Sequence, residues 1–235
     1  MTLEEILSAG FAELGLSPDP AALPRFRQYY ETLSETNKVM NLTAISGEED
    51  TARLHFLDCA ALLGLADFGG QRVIDVGSGA GFPGLVLKIV RPDVELTLLD
   101  SLDKRVKFLS ALCGELDLPE VRCVHLRAEE APADYRQSFD IAVSRAVARL
   151  NLLGELCLPF VKKGGLFLAM KGPEAAAELD EAKKGLALLG GRVERVAEYT
   201  VPGTQLRHCA VLVRKVGDTP AKYPRRWGQM KKKPL

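Results

Sequence analysis

Four closely spaced glycines between an apolar strand and an apolar helix are the feature that most constrains what this chain can fold into. The block reads DVGSGAGFPG from Asp75 to Gly84, and it follows the strand-like RVIDV and precedes the helix-like GLVLKIV. Glycine lets the backbone turn sharply and lets a ligand approach it closely. A strand, a glycine turn and a helix in this order are typical of the first unit of a parallel α/β sheet that binds a nucleotide-like ligand.

The segments that follow this block alternate between strand and helix patterns. Strands are predicted at ELTLLD, VRCVHL, FDIAVS and GGLFLAMKG, and helices at KRVKFLSALCGEL, LNLLGELCLPFV and residues 174–189. The closing strands RVERVAEYTV and HCAVLVRKV have no helix between them, which predicts an antiparallel hairpin. We therefore expect an α/β fold with a mostly parallel seven-stranded sheet, helices on both faces and an antiparallel hairpin at one edge.

The first third of the chain shows helical periodicity. Apolar residues recur every three to four positions from Leu3 onwards, and Asp19-Pro20 can start a second helix. Ser46 and Glu49 have the spacing of a capping box for a third helix. Three regions are predicted: an N-terminal helical extension over 1–68, the sheet domain over 69–217 and a basic C-terminal tail over 218–235.

Composition excludes several classes of protein. No apolar run reaches the ~18 residues of a transmembrane helix. The N-terminus, MTLEEILSAGFAELG, carries acids where a signal peptide carries Lys or Arg, so a cytoplasmic protein is expected. The five cysteines form no CxxC pair and the three histidines lie far apart, so we expect reduced thiols and no metal site.

The basic residues are concentrated at the C-terminus. The whole chain balances 31 Lys and Arg against 31 Asp and Glu, but Thr219–Leu235 holds six bases and no acid. We expect this tail to leave the last strand near the rim of the ligand crevice and to contact the phosphates of a nucleic acid, with a solubilising terminus as the alternative. Candidate residues for binding nucleic-acid phosphates are Lys171 and Arg207 at strand ends, and Lys222, Arg225, Arg226, Lys231, Lys232 and Lys233 in the tail.

Two cofactors fit the glycine block. Its later glycines match the dinucleotide spacing, and Asp100 lies 21 residues after Gly79, where a ribose-binding acid belongs. The longer pattern, which begins at Asp75 and includes Gly77, resembles the first motif of class I S-adenosylmethionine-dependent methyltransferases. A neutral loop suits a sulfonium that has no pyrophosphate, and no second domain remains for a dehydrogenase substrate. S-adenosyl-L-methionine is favoured, and an NAD-dependent oxidoreductase is the alternative.

Two further groups of residues are candidates for the site, one in the helical region and one after the fourth strand. His55 and Asp58 share a helix face, and a structural hydrogen-bond network is favoured over a catalytic role. Arg145 follows the fourth strand and is expected to face the crevice, with a surface salt bridge as the alternative.

Nine segments occur in a distinctive order: TNKVMNLTAI, HFLDCA, DVGSGAGFPG, LLDSLDKRVKFL, RAEE, SRAVA, AMKGP, RHCAVLVRK and the YPRR…PL ending. In this order they resemble the small-subunit ribosomal RNA methyltransferase G family, also called glucose-inhibited division protein B. The resemblance covers nearly the whole chain. It implies methylation of N7 of one guanine in 16S rRNA, within the small ribosomal subunit or outside it. Cys59 replaces the usual Ser of HxxDS, and Trp227 and residues 229–230 alter the usual YPRKxGxP ending.

The resemblance also implies candidate cofactor contacts, namely Gly77, Phe82, Asp100, Ala128, Glu129 and Arg145, to which the strand ends add Gly79, Gly81 and Ser101. Guanine N7 carries a lone pair and no proton, so methyl transfer needs orientation and no general base. We therefore expect no catalytic acid–base residue, with Arg145 as a positioning residue. The sequence leaves the oligomeric state open, and a monomer is favoured. A non-catalytic RNA-binding protein is the remaining alternative, which the intact glycine block disfavours.

Overall fold

The computed structural model describes residues 1–172 and 175–235, and its centre is a seven-stranded sheet. The strands are β1 (Arg72–Val76), β2 (Glu95–Asp100), β3 (Arg122–His125), β4 (Phe139–Arg145), β5 (Val161–Lys171), β6 (Gly191–Thr200) and β7 (Arg207–Lys215). Their order is β3-β2-β1-β4-β5-β7-β6. The first five strands pair in parallel, whereas β7 is antiparallel to both β5 and β6. The predicted fold class and edge hairpin are confirmed.

Helices cover both faces of the sheet. They are α1 (Leu3–Glu13), α2 (Ala22–Met40), α3 (Glu48–Thr51), α4 (Asp58–Ala60), α5 (Gly84–Val90), α6 (Asp103–Glu115), α7 (Leu150–Cys157), α8 (Ala175–Leu188) and α9 (Trp227–Lys232). The predicted start of α8 at Glu174 lies outside the described residues. Within the described ranges no helix is both long and apolar enough to cross a lipid bilayer.

Side chains that alternate along the strands divide the core into two layers. Val73 and Leu168 belong to the layer that contains α1, α2, α5 and α6. Ile74 and Phe167 belong to the opposite layer with α7, α8 and α9. The N-terminal helices therefore bury their apolar faces in the same layer as two helices of the sheet domain.

The third helical region differs from its prediction. α3 begins after Gly47 without a side-chain cap, and Glu49 pairs with Arg53 instead of closing a capping box with Ser46. That part of the prediction is wrong. Between α3 and α4, Ala52–Leu57 forms a π-helical turn that contains His55. Such turns are frequent at functional sites, because they redirect side chains within a continuous helix.

The C-terminal segment leaves the sheet at the end opposite to the predicted one. Lys171 at the end of β5 pairs with Cys209 near the start of β7, and Leu166 pairs with Arg214. Because β7 is antiparallel, its last residue lies toward the amino ends of the parallel strands. The expectation that the chain leaves the last strand at the crevice rim is therefore wrong. Instead, the chain returns through residues 216–226 to α9, which packs in the second layer.

Candidate active site

A cavity of about 790 Å³ opens at the carboxyl ends of β1, β2, β4 and β5. In parallel α/β sheets this end is where ligands bind, because the loops after the strands converge there. His55 and Asp58 of the helical region close one side of the cavity. The structure brings together, in its wall, the predicted residues Gly77, Gly79, Phe82, Asp100, Ser101, Arg145 and Lys171.

The glycine loop after β1 is held against β2 by hydrogen bonds. The Gly77 and Ser78 N–H groups donate to the Leu99 carbonyl at 2.7 and 3.1 Å, and the Gly79 N–H donates to Asp100 Oδ2 at 2.9 Å. Gly79 has a left-handed φ of 60°. A Cβ built there would come no closer than 4.0 Å to the Gly77 carbonyl oxygen, the nearest described atom beyond its chain neighbours. Open space therefore borders the Gly79 backbone, where a ligand can approach closely.

Two other glycines of the block face the protein. A Cβ at Gly81 would lie 2.5 Å from the Tyr29 hydroxyl, and Gly81 does not line the cavity. A Cβ at Gly84 would lie 2.8 Å from Asp75 Oδ2, the atom that accepts the Gly84 N–H at 2.8 Å. These glycines allow the loop to pack against its own core, so Gly81 stands apart from the other predicted cofactor contacts.

The carboxylate of Asp75 is fully buried beneath the loop. Its Oδ2 holds the Gly84 N–H, whereas Oδ1 has no hydrogen-bond partner among the described residues. Burial disfavours the charged form and raises the pKa of Asp75 to about 7. Asp75 therefore supports the loop from below and titrates near neutral pH.

Asp100 ends β2 and organises both flanks of the cavity. Its Oδ2 accepts the Gly79 N–H, its Oδ1 accepts the Leu102 N–H at 2.9 Å, and Arg105 Nη1 lies 3.5 Å from Oδ2. The side chain is only 2% exposed. Asp100 lines the cavity as predicted, and its carboxylate also fixes the geometry of the glycine loop.

A second, smaller cavity of about 260 Å³ adjoins the first. The two cavities share Gly77, Ser101 and Val147, so they lie on either side of one wall. The predicted contacts Ala128 and Glu129 line the smaller cavity, where Trp227 of α9 forms another part of the wall. The predicted cofactor residues are thus distributed over two neighbouring recesses, with Gly81 outside both.

Arg145 is fixed within the wall of the large cavity. Its Nη1 donates to the Leu54 carbonyl at 3.1 Å and lies 3.4 Å from Asp58 Oδ2, while Nη2 donates to His55 Nδ1 at 2.7 Å. The guanidinium carbon lies 4.9 Å from the centre of the Phe82 ring, which stacks on His55 at 4.2 Å. Arg145 therefore joins β4 to the π-helical turn instead of forming a surface salt bridge.

Asp58 is the centre of a buried hydrogen-bond network. Its Oδ1 accepts the Tyr199 hydroxyl at 2.9 Å and lies 2.9 Å from His208 Nδ1, and its Oδ2 faces Arg145. The side chain is 4% exposed. The predicted hydrogen-bond network is present, with Arg145 joining His55 to Asp58, and its members also line the large cavity.

The two histidines of this network are in different electrostatic surroundings. Burial and the positive charge of Arg145 lower the pKa of His55 to about 3, so the ring is neutral at pH 7. Because Nδ1 accepts from Arg145, the proton is on Nε2, which lies 2.8 Å from Thr43 Oγ1. The hydrogen bond to Asp58 instead raises the pKa of His208.

The sequence patterns did not predict that Thr43, Tyr199, His208 or Trp227 form parts of these walls. A signal existed for two of them, since Tyr199 and His208 are directly paired across the predicted hairpin. Trp227 could not be placed, because its position depends on the path of the chain after β7.

Three of the predicted basic residues are ion-paired, and the other five are exposed residues of the tail. Lys171 Nζ pairs with Glu178 at 2.8 Å and lines the cavity, while Arg225 pairs with the buried Glu155 at 2.6 Å. Arg207 is exposed and pairs with Glu198. The remaining five tail cations are exposed, namely Lys222, Arg226, Lys231, Lys232 and Lys233. Among the described residues, no group of three or more His, Cys, Asp or Glu side chains is arranged to hold a metal ion.

Two solved structures with a similar fold are named as methyltransferases or methylases. The precorrin-6y C5,15-methyltransferase of Geobacter metallireducens superposes with a TM-score of 0.53 at 14% identity, covering 75% of this chain and 92% of that one. The ribosomal protein L11 methylase of Lactobacillus delbrueckii subsp. bulgaricus gives a TM-score of 0.53 at 12% identity, covering 74% of this chain and 81% of that one. These similarities establish the class I methyltransferase fold.

The sequence decides the family. Residues 22–207 match the family model described as GidB, rRNA small subunit methyltransferase G. The chain belongs to this family. The ribosomal RNA small subunit methyltransferase G of Clostridium botulinum (strain Loch Maree) is 43% identical over 238 residues, and that of Alkaliphilus oremlandii is 44% identical, each match covering 100% of both chains. Family membership excludes the NAD-dependent oxidoreductase, and the suspected resemblance is confirmed.

Proposed function

We propose that this protein transfers the methyl group of S-adenosyl-L-methionine to N7 of one guanine in 16S rRNA. The observation that carries the proposal is the open space beside the Gly79 backbone. This space belongs to the large cavity at the carboxyl ends of the strands, in a chain that is a member of the methyltransferase family. The relatives are named ribosomal RNA small subunit methyltransferase G, which supports rRNA as the substrate.

The two adjoining cavities suit the cofactor in shape and chemistry. Gly79 leaves room for a ligand against the main chain, and a carboxylate, Asp100, lies at the end of the neighbouring strand, where ribose hydroxyls find an acceptor. The smaller recess offers apolar walls and the Glu129 carboxylate, which fit an aromatic ring with an exocyclic amine. When bound, S-adenosylmethionine supplies a methyl group that its positive sulfur makes electrophilic.

The residues of this chain contribute orientation rather than proton transfer. Guanine N7 attacks with an in-plane lone pair and releases no proton, so the rate gain comes from alignment of the reacting atoms. His55 is neutral and its Nδ1 is occupied by Arg145, so it has no free basic nitrogen at the cavity wall. We infer that the site works without a general base.

Arg145 acts in this proposal as a positioning residue. A guanidinium that donated to N7 would occupy the lone pair that must attack, so Arg145 can hold only guanine O6, a phosphate or the cofactor. Three fixed contacts restrain its Nη atoms, and its ring partner Phe82 lies in the same cavity wall. Arg145 therefore sets the shape and charge of the wall against which the guanine would lie.

We infer that exposed cations guide the RNA. Lys222, Arg226 and the Lys231–Lys233 run are exposed and can release counterions from phosphates, whereas Arg225 is already neutralised by Glu155. Lys171 at the cavity and Arg207 beside it are also candidate contact residues, but each is ion-paired, with Glu178 and Glu198, and would have to exchange that carboxylate for a phosphate. We further propose that the substrate is 16S rRNA, either within the small subunit or outside it. The proposed site of action is the cytoplasm, and the proposed active form is a monomer.

Mapping of modified nucleotides tests this function in cells. In a strain that lacks the gene, 16S rRNA should lose one 7-methylguanosine, and the wild-type gene should restore it. The Gly79→Ala variant should restore the modification less completely than the wild-type gene, although the protein accumulates. Unchanged 16S rRNA modification after deletion would contradict the proposal.

A further inference from the structure

The C-terminal segment is anchored along the second layer of the protein. Arg136 donates to the carbonyls of Tyr223 at 2.8 Å and Pro220 at 3.2 Å, and also to that of Thr219. Tyr223 itself is buried against the apolar cluster of α7 and α8. The segment therefore has a defined path, although its composition resembles that of a solvated tail.

Two further anchors fix α9. The buried Glu155 of α7 receives the Arg225 main-chain N–H at 2.8 Å and its guanidinium at 2.8 and 2.6 Å. Met230, on the inner side of α9, is fully buried. A buried carboxylate with three donors holds its partner more firmly than an exposed ion pair does. These contacts determine where Trp227, the first residue of α9, is placed.

Trp227 reaches the smaller cavity at the carboxyl end of β1. It is half-buried and lines the same recess as Gly77, Ser101 and Glu129. The recess thus combines a large flat aromatic side chain, apolar walls from Val76 and other residues, and the Glu129 carboxylate, which lies 3.7 Å from Arg127 Nη1. This combination fits a planar heteroaromatic ring that presents an amine hydrogen-bond donor at its edge.

We propose that Trp227 contacts the adenine ring of the cofactor, so that the C-terminal segment is part of the cofactor site. This rests on the proposed use of S-adenosylmethionine. The ligand class is an adenine nucleoside, recognised by an aromatic surface and an acceptor for its exocyclic amine. The same segment exposes Arg226 and the Lys231–Lys233 run to solvent. Binding of the adenine ring and the placement of the proposed RNA-binding cations therefore both depend on how the C-terminal segment is anchored.

The chain provides its own reporter, because Trp227 is its single tryptophan. Red-edge excitation of the full-length protein isolates its emission from that of the tyrosines. Titration with S-adenosylmethionine and with adenosine should change this emission, with the dissociation constant that calorimetry gives. L-methionine, which lacks the ring, should leave the emission unchanged.

Two substitutions and a matched control complete the test. Trp227→Ala should weaken S-adenosylmethionine binding between about 5-fold and about 150-fold, the range for loss of one base-stacking side chain. Trp227→Phe, which keeps an aromatic surface, should stay within about threefold of wild type. Gln229→Ala, an exposed change on the same helix, should bind as wild type does. Circular dichroism checks the fold of each variant, and the wild-type titration and Trp227→Phe remain decisive if Trp227→Ala does not fold.

The outcomes separate this proposal from the proposed function. Calorimetric binding of S-adenosylmethionine with unchanged tryptophan emission, or with equal affinity in folded Trp227→Ala, would overturn the role of Trp227 alone. Absence of calorimetric binding to the wild-type protein would overturn the proposed cofactor and, with it, this inference.

Discussion

Replacement of Gly79 by alanine tests the cofactor cradle, because the chain contains a matched glycine away from the cavity. Gly79 and Gly70 have φ values of 60° and 62°. Each N–H donates to an aspartate carboxylate, at 2.9 Å for Asp100 and 3.0 Å for Asp93. Neither position would crowd an added Cβ. Of the two, Gly79 lines the large cavity.

The expected magnitudes follow from this geometry. An alanine in the left-handed region costs about 1–2 kcal/mol, so both variants should lose that much free energy of unfolding. At Gly79 the added methyl group also enters the space beside the main chain, so affinity for S-adenosylmethionine should fall at least about tenfold, or about 1.4 kcal/mol. Gly70→Ala should retain wild-type affinity.

Urea denaturation measures the stability of both variants, and isothermal titration calorimetry measures their cofactor affinity. The comparison isolates the contribution of the cavity, since backbone strain is matched. The reasoning would be refuted if folded Gly79→Ala bound S-adenosylmethionine within about twofold of Gly70→Ala.

Three further changes have defined outcomes. The folded-state pKa of Asp75, about 7, is above its unfolded value, so the stability that Asp75 contributes is lost as the pH rises toward 7. Asp75→Asn should remove up to about 4 kcal/mol of the change in unfolding free energy between pH 4 and pH 8, measured by urea denaturation. Parallel pH profiles of the variant and the wild type would count against this expectation. Asp58→Ala should destabilise the protein by about 3 kcal/mol because Arg145 loses its carboxylate, against about 1 kcal/mol for Tyr199→Phe, and equal losses in unfolding experiments would contradict this. Neutralising Lys231–Lys233 with glutamine should reduce the slope of log RNA affinity against log salt by up to about 2, whereas an unchanged slope would show that these cations do not contact phosphate.

Local patterns in the sequence predicted the elements of the fold well. Strand and helix periodicity gave the β1–α5–β2–α6–β3 succession, and the absent helix between β6 and β7 gave the hairpin. Each of these features depends on residues close together in the chain. The glycine block likewise predicted a cavity at the end of β1, because glycines such as Gly79 accept a left-handed backbone and let a ligand approach the main chain closely.

Long-range packing could not be predicted from local patterns. Asp58 is hydrogen-bonded to Tyr199 and His208, which lie 141 and 150 positions further along the chain. The spacing His55-x-x-Asp58 therefore predicted hydrogen bonding but not these partners. The capping box at Ser46 was wrong, since Glu49 found a better partner in Arg53 on the next turn. Because β7 is antiparallel to β5, the chain leaves the sheet at the amino ends of the parallel strands, and the C-terminal segment packs in the layer of α7 and α8. There Glu155 neutralises one of its six cations.

Methyl transfer by the purified protein tests the central claim most directly. The enzyme is incubated with S-adenosylmethionine that carries a labelled methyl group, and with small ribosomal subunits or 16S rRNA from a strain that lacks the gene. Nuclease digestion and mass spectrometry then locate the label. We predict one labelled methyl group, on N7 of a single guanine, and much less label with Gly79→Ala at a cofactor concentration near the wild-type dissociation constant. Label on another atom of the RNA or on a ribosomal protein, or unlabelled RNA with both substrates, would contradict this prediction.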